Sequence, residues 1–285
     1  MFLKKIFVKK RSGKENVHAA GNHFVSKRES QTHSNYNPVF YEKLSVLEAN
    51  NFWFNSRNRL IIWALRRYFP DAKNFFEIGC GTGYVLSALR KKFPHYNLSG
   101  SDIYIAGLHY ASARVKDAKL FQMDARKIPF TEEFDIIGAF DILEHIEEDE
   151  RVLAEINKAL KKSGMIILTV PQHPFLWSQF DEHACHVRRY TKRELVGKLR
   201  RTGFKIVRIT SCVTFLLPLM AISRISGVRH KKNYRPLGEL EIGHATNCIL
   251  EKVMTIERYF IRLGLSFPVG GSLFAVAQKI TSRHP

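Results

Sequence analysis

FFEIGCGTGY, residues 75–84, sets three glycines at alternate positions directly after a run that reads as a buried strand. Glycine lets the backbone turn where other residues clash, and it lets a ligand approach where a Cβ would stand in the way. The dinucleotide fingerprint is GxGxxG, whose last glycine lets helix and strand close around a pyrophosphate. Here the spacing is GxGxG, and Tyr84 stands where that last glycine belongs. The helix start that follows favours anions. Glu77 lies at the loop's mouth, however, and a carboxylate there suits a ligand that carries positive charge.

Strand and helix signals alternate outward from this loop. Strands are expected at 75–78, 97–103, 119–124, 134–140, 165–171, 204–210 and 271–280, and helices at 85–93, 107–115, 148–161 and 191–204. Ser163 and Gly164 are expected to end the third of these helices, and Thr191 to cap the fourth with Glu194 as its capping-box partner. Strands separated by helices of this length make right-handed βαβ units. The expected fold is α/β: a doubly wound, mostly parallel sheet of seven strands. Such sheets bind ligands outside the carboxyl ends of their strands. Asp102 ends the second strand, 21 residues beyond Gly81, where a carboxylate can accept both hydroxyls of an adenosine ribose. Asp124 ends the third, placed to accept from an adenine amino group.

Composition bounds the rest. The chain has 285 residues, 45% of them hydrophobic, enough for one large domain with a sizeable core. No stretch reaches the roughly 18–20 apolar residues of a membrane-spanning helix, and the nearest, 212–222, contains Pro218. The basic start MFLKKIFVKKRSGK lacks the apolar segment of a secretory leader, so the cytoplasm is the expected compartment. The four cysteines are far apart in sequence and show no disulfide or CxxC pattern. Residues 1–35, where Lys and Arg outnumber acidic residues eight to two, read as a mobile basic arm. Residues 36–285 read as the catalytic domain, with 211–270 as a helical insertion before the last strand. The net charge of +19 attracts phosphates, acidic lipids or nucleic acid without choosing among them.

EIGCGTGY, SDI, QMDA, FDIIGAFDILEHI and LKKSGMIILTVP, in that order at strand ends, resemble the motif set of class I S-adenosylmethionine-dependent methyltransferases. The resemblance spans roughly residues 75–210. NNFWFNSRNRLI, DEHACHVRRYT and FPVGGSLFAVAQK are similar to a bacterial methyltransferase type 11/12-like subgroup. By this resemblance Glu77, Gly79 and Gly81 line the methionine moiety, with Cys80, Thr82 and Gly83 completing the loop. Asp102 with Ile103 holds the ribose, Asp124 with Ala125 the adenine, and Phe140 opens the segment that borders the methyl group.

In that segment His145 has a near-neutral unperturbed pKa and can take a proton from an acceptor, or it can simply shape the pocket wall. Glu144 beside it is the second catalytic candidate. Asp141, Glu144 and His145 spell DxxEH, but the sequence shows no full ligand set, and no metal is expected. His183 and His186 lie three apart without a second ligand pair, so zinc is not expected there either. The long connection 171–191 leaves a strand's carboxyl end and offers His173, Trp177, His186, Arg188, Arg189 and Tyr190 as acceptor-side residues. The two arginines there are read as recognising a carboxylate or phosphate, or as solvated.

Ile249, Val253, Ile256, Phe260 and Leu263 make one apolar stripe on a helix of the insertion. It either packs over the sheet or, flanked by Arg224, Arg229, His230, Lys231 and Lys232, meets a membrane. The reading taken is S-adenosylmethionine-dependent methyl transfer, more at oxygen than at nitrogen or carbon, to a small-molecule or lipid-/glycan-linked acceptor, with peripheral membrane contact as a possible accompaniment. The alternatives are methylation of RNA, for which no recognised binding module is visible, and a non-enzymatic scaffold subunit. A nicotinamide dehydrogenase shares the glycine loop and Asp102 but not Tyr84 or the later motifs.

Overall fold

The computed structural model describes residues 17–20, 23–26, 38–226, 238 and 240–281. Two short strands, β1 (Val17–Ala20) and β2 (His23–Ser26), come first. Helices α1 (Pro38–Leu47) and α2 (Phe52–Tyr68) follow. The alternating core then runs β3 (Asn74–Ile78), α3 (Tyr84–Lys92), β4 (Asn97–Asp102), α4 (Ile105–Arg114), β5 (Lys119–Gln122), β6 (Phe134–Phe140), α5 (Asp149–Ala159) and β7 (Leu160–Pro171). After it come α6 (Gln179–His183), α7 (Lys192–Arg201), β8 (Phe204–Cys212), α8 (Leu217–Ser226), α9 (His244–Arg262) and β9 (Ser272–Lys279).

The strands form one sheet in the order β1-β2-β5-β4-β3-β6-β7-β9-β8. The seven expected strands are all present. Strands β3 to β7 run parallel, while β9 is antiparallel to both β7 and β8. The hairpin β1–β2 lies within the segment read as a basic arm and extends the sheet beyond β5. The rest of that segment, and Arg229 to Lys232, lie outside the described residues.

Alternation along β3 shows why the sheet is covered on both sides. Phe75 joins the cluster under α2, α3 and α4, with Leu65, Leu86 and Ala111. Its neighbour Phe76 joins the opposite cluster under α5 and α7, with Ile156 and Leu195. Successive strand residues face opposite sides, so a strand buried on both faces reads as a continuous apolar run. Burying each of these phenylalanines contributes about 1.5–3 kcal/mol.

Three elements differ from expectation. The helix before β7 ends at Ala159, not at Ser163–Gly164, because buried Leu160 already pairs with Phe134 and begins the strand. Ser163 takes φ 61° in the turn that carries the chain into the strand. Residues 41–69, where Leu60, Trp63, Ala64 and Tyr68 recur at helical spacing and suggest one run, are broken by a 3-10 turn at Glu48–Asn50, after which Asn51 caps α2 by accepting from the Trp53 N–H at 2.9 Å. The apolar stripe of α9 is divided: Ile249, Ile256 and Leu263 are exposed and Val253 and Phe260 half-buried, while Met254, Glu257, Arg258 and Ile261 are buried. Polar groups decide that orientation. The Glu257 carboxylate accepts the N–H groups of Val213, Thr214 and Phe215 at 2.7, 2.6 and 3.0 Å, and Arg258 donates to Ser56 of α2.

The sheet reverses direction between β3 and β6, since β4 and β5 continue on one side and β7 on the other. A crevice opens at the carboxyl ends of the strands at such a point. The glycine loop follows β3, and the DILEH segment follows β6.

Candidate active site

Gly79, Gly81 and Gly83 all take positive φ, at 68°, 50° and 73°. At Gly83 a Cβ would sit 2.8 Å from the Ala111 Cα, so the loop needs glycine there to lie against α4. At Gly81 an added Cβ would meet nothing nearer than the Tyr41 ring at 4.0 Å, so this part of the loop stands beside open space. Glu77 is buried, and burial pushes its carboxyl well above the usual range. Its Oε2 has no hydrogen-bond partner among the described residues.

Asp102 closes the loop from β4. One carboxylate oxygen accepts the Gly81 N–H and the other the Tyr104 N–H, both at 2.9 Å. Burial raises its pKa to about 6 against the pull of those bonds and of the Tyr41 side chain. Cys80 and Thr82 point away from the open side. The Cys80 thiol lies in the core, where burial holds its pKa up. The Thr82 hydroxyl donates to Glu48 at 2.7 Å and accepts from Arg114 at 2.7 Å. Arg114 also binds Glu48 directly, at 2.6 Å, and the Ser45 carbonyl. The turn between α1 and α2 is thereby clasped onto the glycine loop.

Just beyond β5, Asp124 is gripped by Arg126 at 2.7 and 3.0 Å. Burial alone would raise its pKa, but Arg126 brings it below the usual value. Ile103 and Ala125 are half-buried beside it, and the Ile103 carbonyl accepts from Gln122 at 3.1 Å.

After β6, the Phe140 ring packs in the core against Gly138, where a Cβ would approach it to 2.6 Å. Asp141 follows with φ 54° and forms an ion pair with Arg57 of α2, whose guanidinium stacks over Trp53 at 4.6 Å. Glu144 and His145 lie in the 3-10 turn Leu143–His145. Glu144 is 1% exposed, and neither carboxylate oxygen has a hydrogen-bond partner among the described residues. Burial, then Asp141, drives its pKa well up. Burial and the neighbouring His186 push His145 down to about 4. The two imidazoles stand edge to face with centroids 4.7 Å apart.

The connection after β7 divides its expected residues. His186 reaches the Glu144–His145 pair, with its Nδ1 2.8 Å from Asp181. His173 takes φ 62°, stacks on Phe175 at 4.9 Å, and leaves its Nε2 without a partner among the described residues. Trp177 is partly exposed. The other three turn inward, which corrects the expectation that they face an acceptor. Arg188 binds the Ile146 and Glu147 carbonyls and Asp149. Arg189 grips Asp181 with two bonds, at 2.8 and 3.0 Å, and Tyr190 is fully buried with its hydroxyl on Asp149 at 2.7 Å. Polar atoms sealed in the interior need partners, and these side chains find theirs within the protein.

Sequence reasoning passed over Glu48, Arg57 and Arg114. One signal was available. On α2, Phe54, Arg57 and Ile61 fall at helical spacing, so a charge sits on a face that is otherwise buried.

The chain matches the methyltransferase domain family over residues 51–209, more than half its length. It is 31% identical over 170 residues to a demethylmenaquinone methyltransferase of Thermotoga maritima, covering 59% of this chain and 74% of that one. It is 30% identical over 107 residues to the mitochondrial ubiquinone biosynthesis O-methyltransferase of Candida albicans, covering 35% and 33%. In fold it is similar to phosphoethanolamine N-methyltransferase 2 of Haemonchus contortus in complex with S-adenosyl-L-methionine. There the TM-score is 0.58 at 18% identity, over 87% of this chain and 59% of that longer one. The loop fits such a ligand: a buried carboxylate with an unpartnered oxygen suits a sulfonium cation, and the open side of Gly81 leaves room for it. With the match running from α2 across the glycine loop and on past His186, the chain belongs to the methyltransferase domain family and uses S-adenosylmethionine as its cofactor.

Proposed function

We propose that the chain methylates an oxygen of a small-molecule acceptor, or of one linked to a lipid or glycan. The observation that supports this reading is a juxtaposition at the sheet's reversal. The glycine loop follows β3, and in the turn after the adjacent strand β6 the buried Glu144 carboxylate, without a partner among the described residues, stands beside His145. S-adenosylmethionine supplies a methyl carbon activated by its sulfonium. The chain holds the two reactants in line and keeps water out, which is the main demand of such a displacement. In this reading Glu77 and the backbone of Gly79 to Gly83 hold the methionine part. Asp102 accepts the ribose hydroxyls, and Asp124, Ala125 and Ile103 border the adenine. Cys80, Thr82 and Phe140 contribute backbone only, because their side chains are engaged elsewhere. Glu144 and His145 provide the lone pairs toward which an acceptor hydroxyl donates, with His173, His186 and Trp177 bordering the acceptor.

The test is transfer of a labelled methyl group to fractionated cell extract, followed by mass spectrometry of the labelled product. Label on an oxygen of a small or lipid-linked molecule is the expected result. Label on nitrogen, or on RNA in a salt-sensitive manner, overturns the acceptor assignment.

A second observation favours a lipid-linked acceptor met at the cytoplasmic face of a membrane. Leu219 and Ile222 on α8, and Ile249, Ile256, Tyr259 and Leu263 on α9, are each more than half exposed. Large apolar side chains gathered on neighbouring helices of a strongly basic chain suit an anionic bilayer surface. The four free cysteines suit a reducing compartment. No helix among the described residues is long and apolar enough to cross a membrane, so the contact would be peripheral. Flotation with anionic vesicles at low salt should carry the wild type and lose the Ile222→Asp/Ile256→Asp variant. Equal flotation of both would refute this face as the contact.

A further inference from the structure

Glu144, His145 and His186 each bring one ligand atom into a group in which all lie within 4.8 Å of one another. Two of them are adjacent in the turn after β6, and the third arrives from the connection after β7, so no local spacing reveals the set. We propose that these three side chains bind one divalent transition-metal ion, with coordination positions left open for an oxygen of the acceptor.

Two features of the surroundings carry the inference. Glu144 is almost fully buried, yet both of its oxygens lack a hydrogen-bond partner among the described residues. A buried carboxylate without partners is costly, and a cation removes that cost. The His186 imidazole, moreover, is held by one nitrogen. His186 Nδ1 lies 2.8 Å from Asp181, and that carboxylate is fixed in turn by Arg189 and by the Ser178 N–H. Metal-ligating histidines are oriented in this way, through a carboxylate or carbonyl on the nitrogen that does not ligate. Two imidazoles and one carboxylate leave positions open and suit zinc, cobalt or iron(II) better than magnesium or calcium. A hydroxyl bound at an open position would be acidified by the ion, which then takes the place of direct acceptance by Glu144 and His145. That role rests on the reading above, whereas binding of the ion does not.

The experiment uses the full chain without an affinity tag, stripped with chelator and titrated with Co2+ while its visible absorption is followed. Zn2+ is added in competition, and S-adenosylmethionine binding is measured by calorimetry on the same samples. The expected result is one Co2+ per chain, displaced by Zn2+. Glu144→Gln and His186→Ala should each weaken it on the order of 100-fold, and Asp181→Asn about 10–100-fold. His109→Ala, at an exposed histidine on α4, should change nothing. Glu144→Gln conserves shape, so retained S-adenosylmethionine binding shows that it is folded. A wild type that binds S-adenosylmethionine but no Co2+ overturns the metal site and leaves the methyltransferase reading standing. Co2+ binding that survives both Glu144→Gln and His186→Ala also overturns it.

Discussion

Asp102 couples cofactor binding to pH in a direction the structure sets. Its carboxyl rises from 3.8 to about 6, chiefly because it is buried. A shift of about two units corresponds to about 3 kcal/mol. The folded pKa lies above the unfolded one, so the ligand-free protein holds this proton more tightly than the unfolded chain does. It therefore gives up that stability as pH rises from about 4 to about 6. A ribose that donates two hydroxyls to Asp102 needs the ionised form. Affinity for S-adenosylmethionine should then be level above pH 7 and fall about tenfold by pH 5. In Asp102→Asn two charge-assisted bonds to the ribose are lost, at about 1.5–3 kcal/mol each, so binding should weaken at least about hundredfold above pH 7, with the gap to wild type narrowing about tenfold by pH 5. The amide also turns its NH2 toward either the Gly81 or the Tyr104 N–H. That mismatch costs about 1–3 kcal/mol and roughly offsets the relief of the buried charge, so the variant should melt near the wild type at pH 7.5. Calorimetry at pH 5, 6, 7 and 8 on both proteins is the assay. Wild-type affinity that stays flat across this range, or an Asn variant that binds as tightly as wild type, would refute the assignment of Asp102 to the ribose.

Two further perturbations test the supports of the site. Arg114→Met leaves the buried Glu48 carboxylate with Thr82 alone and should destabilise the fold by about 3–5 kcal/mol in urea melts. Adding Glu48→Gln should restore part of that loss, and strict additivity of the two changes would contradict the clasp. Glu257→Ala strands the N–H groups of Val213, Thr214 and Phe215, with an expected cost of about 2–4 kcal/mol. Faster amide exchange at 213–215 is the accompanying signature, and unchanged exchange there would show that Glu257 does not hold the loop.

The sequence is clearest where function depends on local geometry. The glycine loop, Asp102 at the end of β4 and the polar segment after β6 follow from strand ends and turn chemistry, and all three border the crevice where expected. Reading by local pattern failed wherever a side chain's surroundings come from distant chain. Arg188, Arg189 and Tyr190 look like an acceptor-binding run, but Asp149 and Asp181 draw them inside. The stripe on α9 reads either as a face packed on the sheet or as one turned outward, and it is the partners of Glu257 and Arg258, at 213–215 and Ser56, that leave Ile249, Ile256 and Leu263 exposed.

The sequence by itself therefore determined the class of fold and the place of the glycine loop and Asp102 at strand ends, because period, glycine placement and turn residues act over a few positions. Only the tertiary structure decided the rest: the clasp of Glu48 and Arg114 on the loop, the Arg57–Asp141 pair, and the meeting of His186 with Glu144 and His145. The physical reason is that a buried charge is stable only beside a partner. Which partner it finds depends on how helices and loops dock, and no short-range pattern encodes that.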